Sequence, residues 1–136
     1  SEQGYVVIVE DYDLQLASKH NLLDDGFYFW LLVRASRGEI SCMAGGPPCG
    51  TWSVSRYAGP PGPPPVRSRA HPWGLPNLSE KFMKSVFVGS ALLVRFVDLC
   101  RAVALRGGLF LLEHPEDRGV APYPSVWDTP LVTELL

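Results

Sequence analysis

An α/β fold built on a mostly parallel sheet with flanking helices is what this sequence predicts, from three observations. Short apolar runs at residues 5–9 (YVVIV), 40–44 (ISCMA) and 109–112 (LFLL) alternate with longer segments of helical periodicity. Each run ends in polar or glycine-rich residues: Glu10, Asp11 and Asp13 after the first, Gly45-Gly46 after the second, Glu113-His114 after the third. The chain of 136 residues is 46% hydrophobic and 19% charged, the composition of a single domain able to bury a core.

The elements follow in order. The β-branched run at 5–9 reads as a buried parallel strand whose carboxyl end opens onto an acidic site. Asp24 and Asp25 are suited to cap a helix over residues 27–36, because acidic groups favour a helix N-terminus, and Arg37-Gly38 ends it. The strand at 40–44 runs straight into GGPPCG, and residues 45–76 read as one long loop. Within it GPPGPPP (59–65) excludes helix and central strand, since proline lacks the donor and fixes φ, so an extended, polyproline-like stretch is expected. Such a stretch suits a rigid connector or an SH3-type ligand; Gly62 breaks the PxxPx[KR] pattern of the second. Ser79-Glu80 opens the longest periodic segment, with Phe82, Val86, Leu92, Leu93, Phe96, Leu99 and Val103 at helical spacing, and Gly107-Gly108 closes it. The final strand delivers Glu113, and the proline-bearing tail holds at most a short helix.

Charge and cysteine content narrow the function classes. A net charge of -2 and a pI near 5.9 argue against a protein whose main task is to coat nucleic acid, while leaving room for a local basic patch. Three cysteines at irregular spacing form neither a disulfide framework nor a zinc pattern, so no metal site and a reducing, intracellular compartment, nuclear or cytoplasmic, are expected. No signal peptide and no apolar run of membrane-spanning length is evident.

Ligands of open α/β sheets bind at the carboxyl ends of strands, which directs attention to Cys49 and Glu113. Glycine and proline fix the turn around Cys49, and Arg56, Arg67, Arg69 and His71 share a loop with no acidic residue between Gly45 and Asn77. A thiol gains nucleophilicity when its thiolate is accessible and stabilised by positive charge or donors. An inert, buried cysteine is the alternative that the residue type alone favours.

The motif changes that balance. Gly46, Pro48, Cys49, Trp52 and Ser53 resemble the nucleophile motif of cytosine-5 DNA methyltransferases, with Gly50 where the family usually has glutamine. LFLLEHP (109–115) resembles the family's later Glu-Asn-Val motif, with Glu113 matching and His114 in place of asparagine. Residues 6–13 are similar to the strand whose terminal acid binds the cofactor ribose, here Glu10, and Asn21-Leu22 sits where an Asp-Ile pair contacts adenine. The resemblance runs from about Tyr5 to Pro115.

It implies a class I methyltransferase, Rossmann-like fold and S-adenosylmethionine-dependent methylation of a flipped cytosine in DNA. Cys49 would add to carbon 6 of the base, and Glu113 would support N3 from a secluded pocket that raises its pKa. Ser53, Arg56, Arg67 and Arg69 would hold phosphates from the long loop; Trp52 and Trp73 are expected to pack rather than stack on bases. The family's glycine-rich first motif, its first strand and its target-recognition region have no counterpart here. The sequence is therefore expected to be a partial domain, residues 1–136, of a larger polypeptide. HPWG (71–74) and the proline-rich loop resemble methyltransferase-like segments of mobile-element polyproteins. Three readings stay open: a catalytic domain, a non-catalytic remnant that binds nucleic acid weakly, and an interaction module built on the proline-rich loop.

Overall fold

The structure is a computed structural model and describes Ile8, Glu10 and residues 20–136. The strand expected at 5–9 lies outside these residues except for Ile8, as do Asp11 and Asp13. In chain order the described elements are helix α1 (Asp25–Ser36), strand β1 (Cys42–Gly45), a 3-10 turn (Val54–Tyr57), helix α2 (Glu80–Leu105), strand β2 (Leu109–Leu112), a second 3-10 turn (Val126–Asp128) and helix α3 (Pro130–Thr133).

Local chemistry sets the helix ends. Asp24 caps α1, its Oδ1 accepting from the Phe27 N–H at 2.8 Å, with Asp25 in the first turn and Arg34 in the last to complement the helix dipole. Ser79 caps α2 in the same manner. Both helices stop at a glycine in the left-handed region, Gly38 (φ 77°) and Gly107 (φ 82°), a conformation other residues adopt at a steric cost.

Helix α2 organises the packing. One stripe carries Leu99 against Tyr28 and Leu31 of α1, joined by Leu22, Phe27 and Met43. Another carries Leu93 and Val97 against Trp52, Val126 and Val132, which binds the long loop and the C-terminal segment to the helix. Polar contacts reinforce the first contact surface: Arg95 donates to the Leu22 carbonyl at 2.6 Å, pairs with Asp25 and lies over the Tyr28 ring.

Strands β1 and β2 pair in parallel with Cys42 opposite Leu109 and Gly45 opposite Leu112, and α2 is the crossover between them. The ladder is bracketed by Leu109 N–H to Ser41 O and Glu113 N–H to Gly45 O, both 2.9 Å. Among the described residues the sheet has two strands, which with the flanking helices make a mixed α/β core. Its burial alternates: Met43, Gly45, Phe110 and Leu112 are half-buried, whereas Cys42, Ala44, Leu109 and Leu111 are exposed. Among the described residues α2 covers one face of the sheet and the other is exposed.

Gly45 marks that covered face. A Cβ there would stand 2.5 and 2.7 Å from ring atoms of Phe96, which is itself buried. Gly45→Ala is therefore expected to destabilise the fold by about 1–3 kcal/mol through overpacking. Gly50→Ala, with no atom within 4 Å of the added carbon, is the control. Urea denaturation checks both, and equal midpoints would contradict the packing described.

The proline-rich segment also departs from expectation. Pro60-Pro61 is cis, and the Gly62 N–H bonds back to the Gly59 carbonyl at 3.2 Å. That hydrogen bond closes a tight turn where an extended run was expected.

Candidate active site

The strand register sets Glu113 beside the Gly45-Gly46 end of β1, from which the loop carrying Cys49 departs. Glu113 follows β2 directly, and its backbone N–H is bound to Gly45 O. A Cβ on Gly46 would stand 2.5 Å from Glu113 Oε2, so the carboxylate lies close against that glycine's backbone. Three residues later comes Cys49, whose carbonyl accepts from the Trp52 N–H at 2.9 Å to close a turn. Cys49 and Glu113 are both exposed. Among the described residues no segment encloses Glu113, so the secluded pocket expected for it is not formed by them.

Behind this edge the loop is anchored by Arg67. The expectation that Arg67 holds phosphates is corrected: its side chain is fully buried. It donates to Thr51 Oγ1 (3.0 Å), the Pro72 carbonyl (2.8 Å), Ser90 Oγ (3.0 Å) and the Val86 carbonyl (3.1 Å). Its guanidinium also stacks 4.2 Å from the centroid of Trp52. No carboxylate is among these partners. Burial, followed by the charge of Arg56, lowers its pKa to about 10, which still leaves a cation at neutral pH.

The other loop residues divide similarly. Arg69 is engaged by Asp117 at 2.7 Å and Asp128 at 3.1 Å, tying the loop to the C-terminal segment and holding the Asp117 carboxyl below its ordinary pKa. Ser53 caps the first 3-10 turn and shares a hydrogen with Ser55. Arg56 donates to the Gly50 carbonyl at 2.7 Å and the Pro64 carbonyl at 3.1 Å, which fixes a cation beside the residue that follows Cys49. Trp52 is buried in the core, whereas Trp73 is partly exposed and meets it edge-on.

His114, in place of the family's asparagine, faces inward edge-on to Trp52 with ring centroids 6.1 Å apart. Its Nε2 and the Trp52 Nε1 are buried without hydrogen-bond partners among the described residues. They stand at the wall of a pocket of about 430 Å³ that Ser53, Pro115, Asp117 and Ser125 also line. Burial, with the charge of Arg67, lowers the His114 pKa from 6.5 to about 4. The folded state thus binds fewer protons than the unfolded state between about pH 4 and 6.5. Stability from this group is full above pH 6.5 and is lost as pH falls through 4, up to about 3 kcal/mol. His114→Asn is expected to flatten stability against pH in that window, measured by chemical denaturation at intervals from pH 4 to 7. An unchanged slope would contradict the buried, neutral histidine.

A second pocket, of about 530 Å³, opens beside the Cys49 loop and is lined by Pro48, Gly50, Thr51, Arg56, Lys81 and Lys84, among others. The two lysines went unremarked in the sequence because only the apolar positions of that helix were weighed. The signal was present in the three-residue spacing of Lys81 and Lys84.

The residues expected to bind S-adenosylmethionine are engaged within the chain. Glu10 pairs with Arg34 of α1 at 2.8 Å, and Asn21 Oδ1 accepts from the Leu23 N–H at 2.9 Å. Among the described residues no group of three or more His, Cys, Asp or Glu side chains is placed to hold a metal ion. No helix among them is long and apolar enough to cross a membrane. No protein-family model, curated protein or solved structure matches the chain.

Proposed function

We propose that this chain carries the covalent-addition half of a cytosine-5 DNA methyltransferase-like site on a partial class I methyltransferase fold. One observation carries the reading: the motif glutamate directly follows β2 and the loop bearing Cys49 follows the adjacent, in-register parallel strand β1, with the Glu113 carboxylate against Gly46 of that loop. That is the arrangement two groups need to address one planar ring from neighbouring strand ends.

In this reading the Cys49 thiolate bonds to carbon 6 of a cytosine turned out of its stack. The electron pair of the 5,6 double bond moves into the ring, and N3 takes a proton from the Glu113 carboxyl. Carbon 5, now electron-rich, accepts a proton from water. Loss of the original carbon-5 hydrogen and departure of the thiolate restore the base and return the N3 proton to Glu113. S-adenosylmethionine is the methyl donor that the family resemblance implies. The engagement of Glu10 and Asn21 leaves no step of this sequence routed through it.

The test is exchange of the carbon-5 hydrogen of cytosine with solvent, followed as tritium release from labelled DNA without methyl donor. Release that exceeds the protein-free rate and disappears in Cys49→Ala supports the reading; release at the protein-free rate sinks it. A second reading, a non-catalytic remnant that binds nucleic acid, is favoured by the Glu10–Arg34 pair and the exposed Glu113, and predicts no exchange.

A further inference from the structure

Phosphodiester strands are held by cations that face a groove without competing carboxylates. The pocket beside the Cys49 loop meets that description. Its floor is apolar, with Val88 and Leu92 on the same stripe of α2 as Lys81, Lys84 and Ser85, while Pro48, Gly50 and Thr51 form the opposite wall. Among the described residues no acidic side chain lines it. Neither lysine is in an ion pair among the described residues. Arg56 spends Nε and Nη1 on the carbonyls of Gly50 and Pro64, which holds the guanidinium rigid at the rim and leaves Nη2 without a hydrogen bond among the described residues.

A separate observation adds a fourth positive charge. Gly89 lines the groove, and a Cβ built there would stand 3.2 Å from Arg67 Nη2 and 3.0 Å from Thr51 Oγ1. The buried guanidinium therefore lies directly behind the groove wall, bonded only to neutral acceptors. In a chain of net charge -2, four cations gathered without a carboxylate form a local field of opposite sign.

We infer that this groove seats the phosphodiester backbone of a nucleic-acid strand, contacted by Lys81, Lys84 and Arg56 and drawn in by the field of Arg67. The site deepens the function proposed above and rests on it for the strand's role as substrate. The nucleic-acid contact thereby moves from Arg67 and Arg69, which are committed inside the protein, to the lysines of α2. Because Pro48 and Gly50 flank Cys49, a strand held here passes next to the nucleophile.

The experiment is fluorescence anisotropy with the 136-residue chain and a labelled DNA oligonucleotide, single-stranded and duplex, across a salt series. Lys81→Glu/Lys84→Glu is expected to weaken binding at least tenfold. The slope of log affinity against log salt should shrink by about 1.4 for the single strand, or about 1.8 for duplex, if each lysine neutralises one phosphate. Arg37→Glu/Arg106→Glu changes net charge equally at the other end of α2, roughly 37 Å away along the helix, and is expected to weaken binding less than twofold. Lys81→Ala/Lys84→Ala, expected to lose about half as much in log affinity, stands in should the glutamates unfold the chain, as judged by circular dichroism. Equal losses in the two charge reversals, or no loss in the groove variants, would overturn the site. A failed exchange reaction with a groove-dependent affinity rejects only the catalytic reading. Exchange retained alongside groove-independent binding rejects only the groove.

Discussion

Arg67→Leu is expected to cost the fold about 3 kcal/mol, the largest stability loss of any single side chain in the loop. The guanidinium makes four hydrogen bonds from a fully buried position, to Thr51, Pro72, Ser90 and the Val86 carbonyl. Two of those partners lie on α2 and two in the loop, so the fork joins the long loop to the helix. Opposing terms set the size of the effect. Removing a buried cation without a carboxylate partner relieves a desolvation cost, while leaving polar partners unbonded costs about 1–3 kcal/mol for each group that finds no replacement. The hydroxyls of Thr51 and Ser90 can rotate to other acceptors, and the loop carbonyl of Pro72 has no such freedom. Arg67→Lys keeps the charge but not the planar fork, and is expected to lose nearly as much. Chemical denaturation measures both. A second readout follows from the same contact: with the Arg67 charge gone, the His114 pKa should rise from about 4. A neutral Arg67→Leu with full stability would mean the loop is held by its apolar contacts alone.

The second large effect concerns the two strand-end residues, which should not contribute equally. Cys49→Ala removes the atom that forms the bond, so exchange at carbon 5 should fall to the protein-free rate. Glu113→Gln keeps a hydrogen-bonding group of the same size but cannot deliver a proton, and a loss of about 10²–10⁴-fold is expected. Gly46→Ala provides an independent check, since its added carbon would displace the Glu113 carboxylate 2.5 Å away. It should lower exchange while leaving stability nearly unchanged, because the obstructed atom is the end of a flexible, exposed side chain. Tritium release measured on the three variants orders the effects. Equal rates in Glu113→Gln and the parent chain would remove Glu113 from the site.

Much of this fold is legible in the sequence wherever the signal is local. Asp24, Ser79, Gly38 and Gly107 mark helix ends through their own side chains or their lack of one, and the apolar spacing from Phe82 to Val103 specifies α2 without reference to anything distant. Strand β2 matches its expected bounds, while β1 begins two residues later than expected, at Cys42, and extends to Gly45. What local pattern does not reveal is the path of the proline-rich loop. Arg67 reads as a phosphate-holding loop arginine because its partners Val86 and Ser90 lie about 20 residues on and meet it only after α2 packs. Arg69 likewise finds Asp117 across 48 residues. One-sided burial of the strands is equally hidden, since a run of leucines reads alike whether one face or both are covered. The groove is half legible: the three-residue spacing puts Lys81 and Lys84 on one helix face, but Arg56 joins them only when the loop packs beside α2.

The central claim is that Cys49 forms a bond to carbon 6 of a pyrimidine. Incubating the chain with duplex DNA carrying 2-pyrimidinone at one cytosine position tests it directly, because that ring is more electrophilic and needs no methyl donor to accept a thiolate. Intact-mass and peptide-mass measurement should show one protein–DNA adduct on the peptide that contains Cys49, absent in Cys49→Ala and present in a Cys42→Ala control. Folded protein that forms no adduct, or an adduct that maps to Cys42, would contradict the assignment of Cys49 as nucleophile.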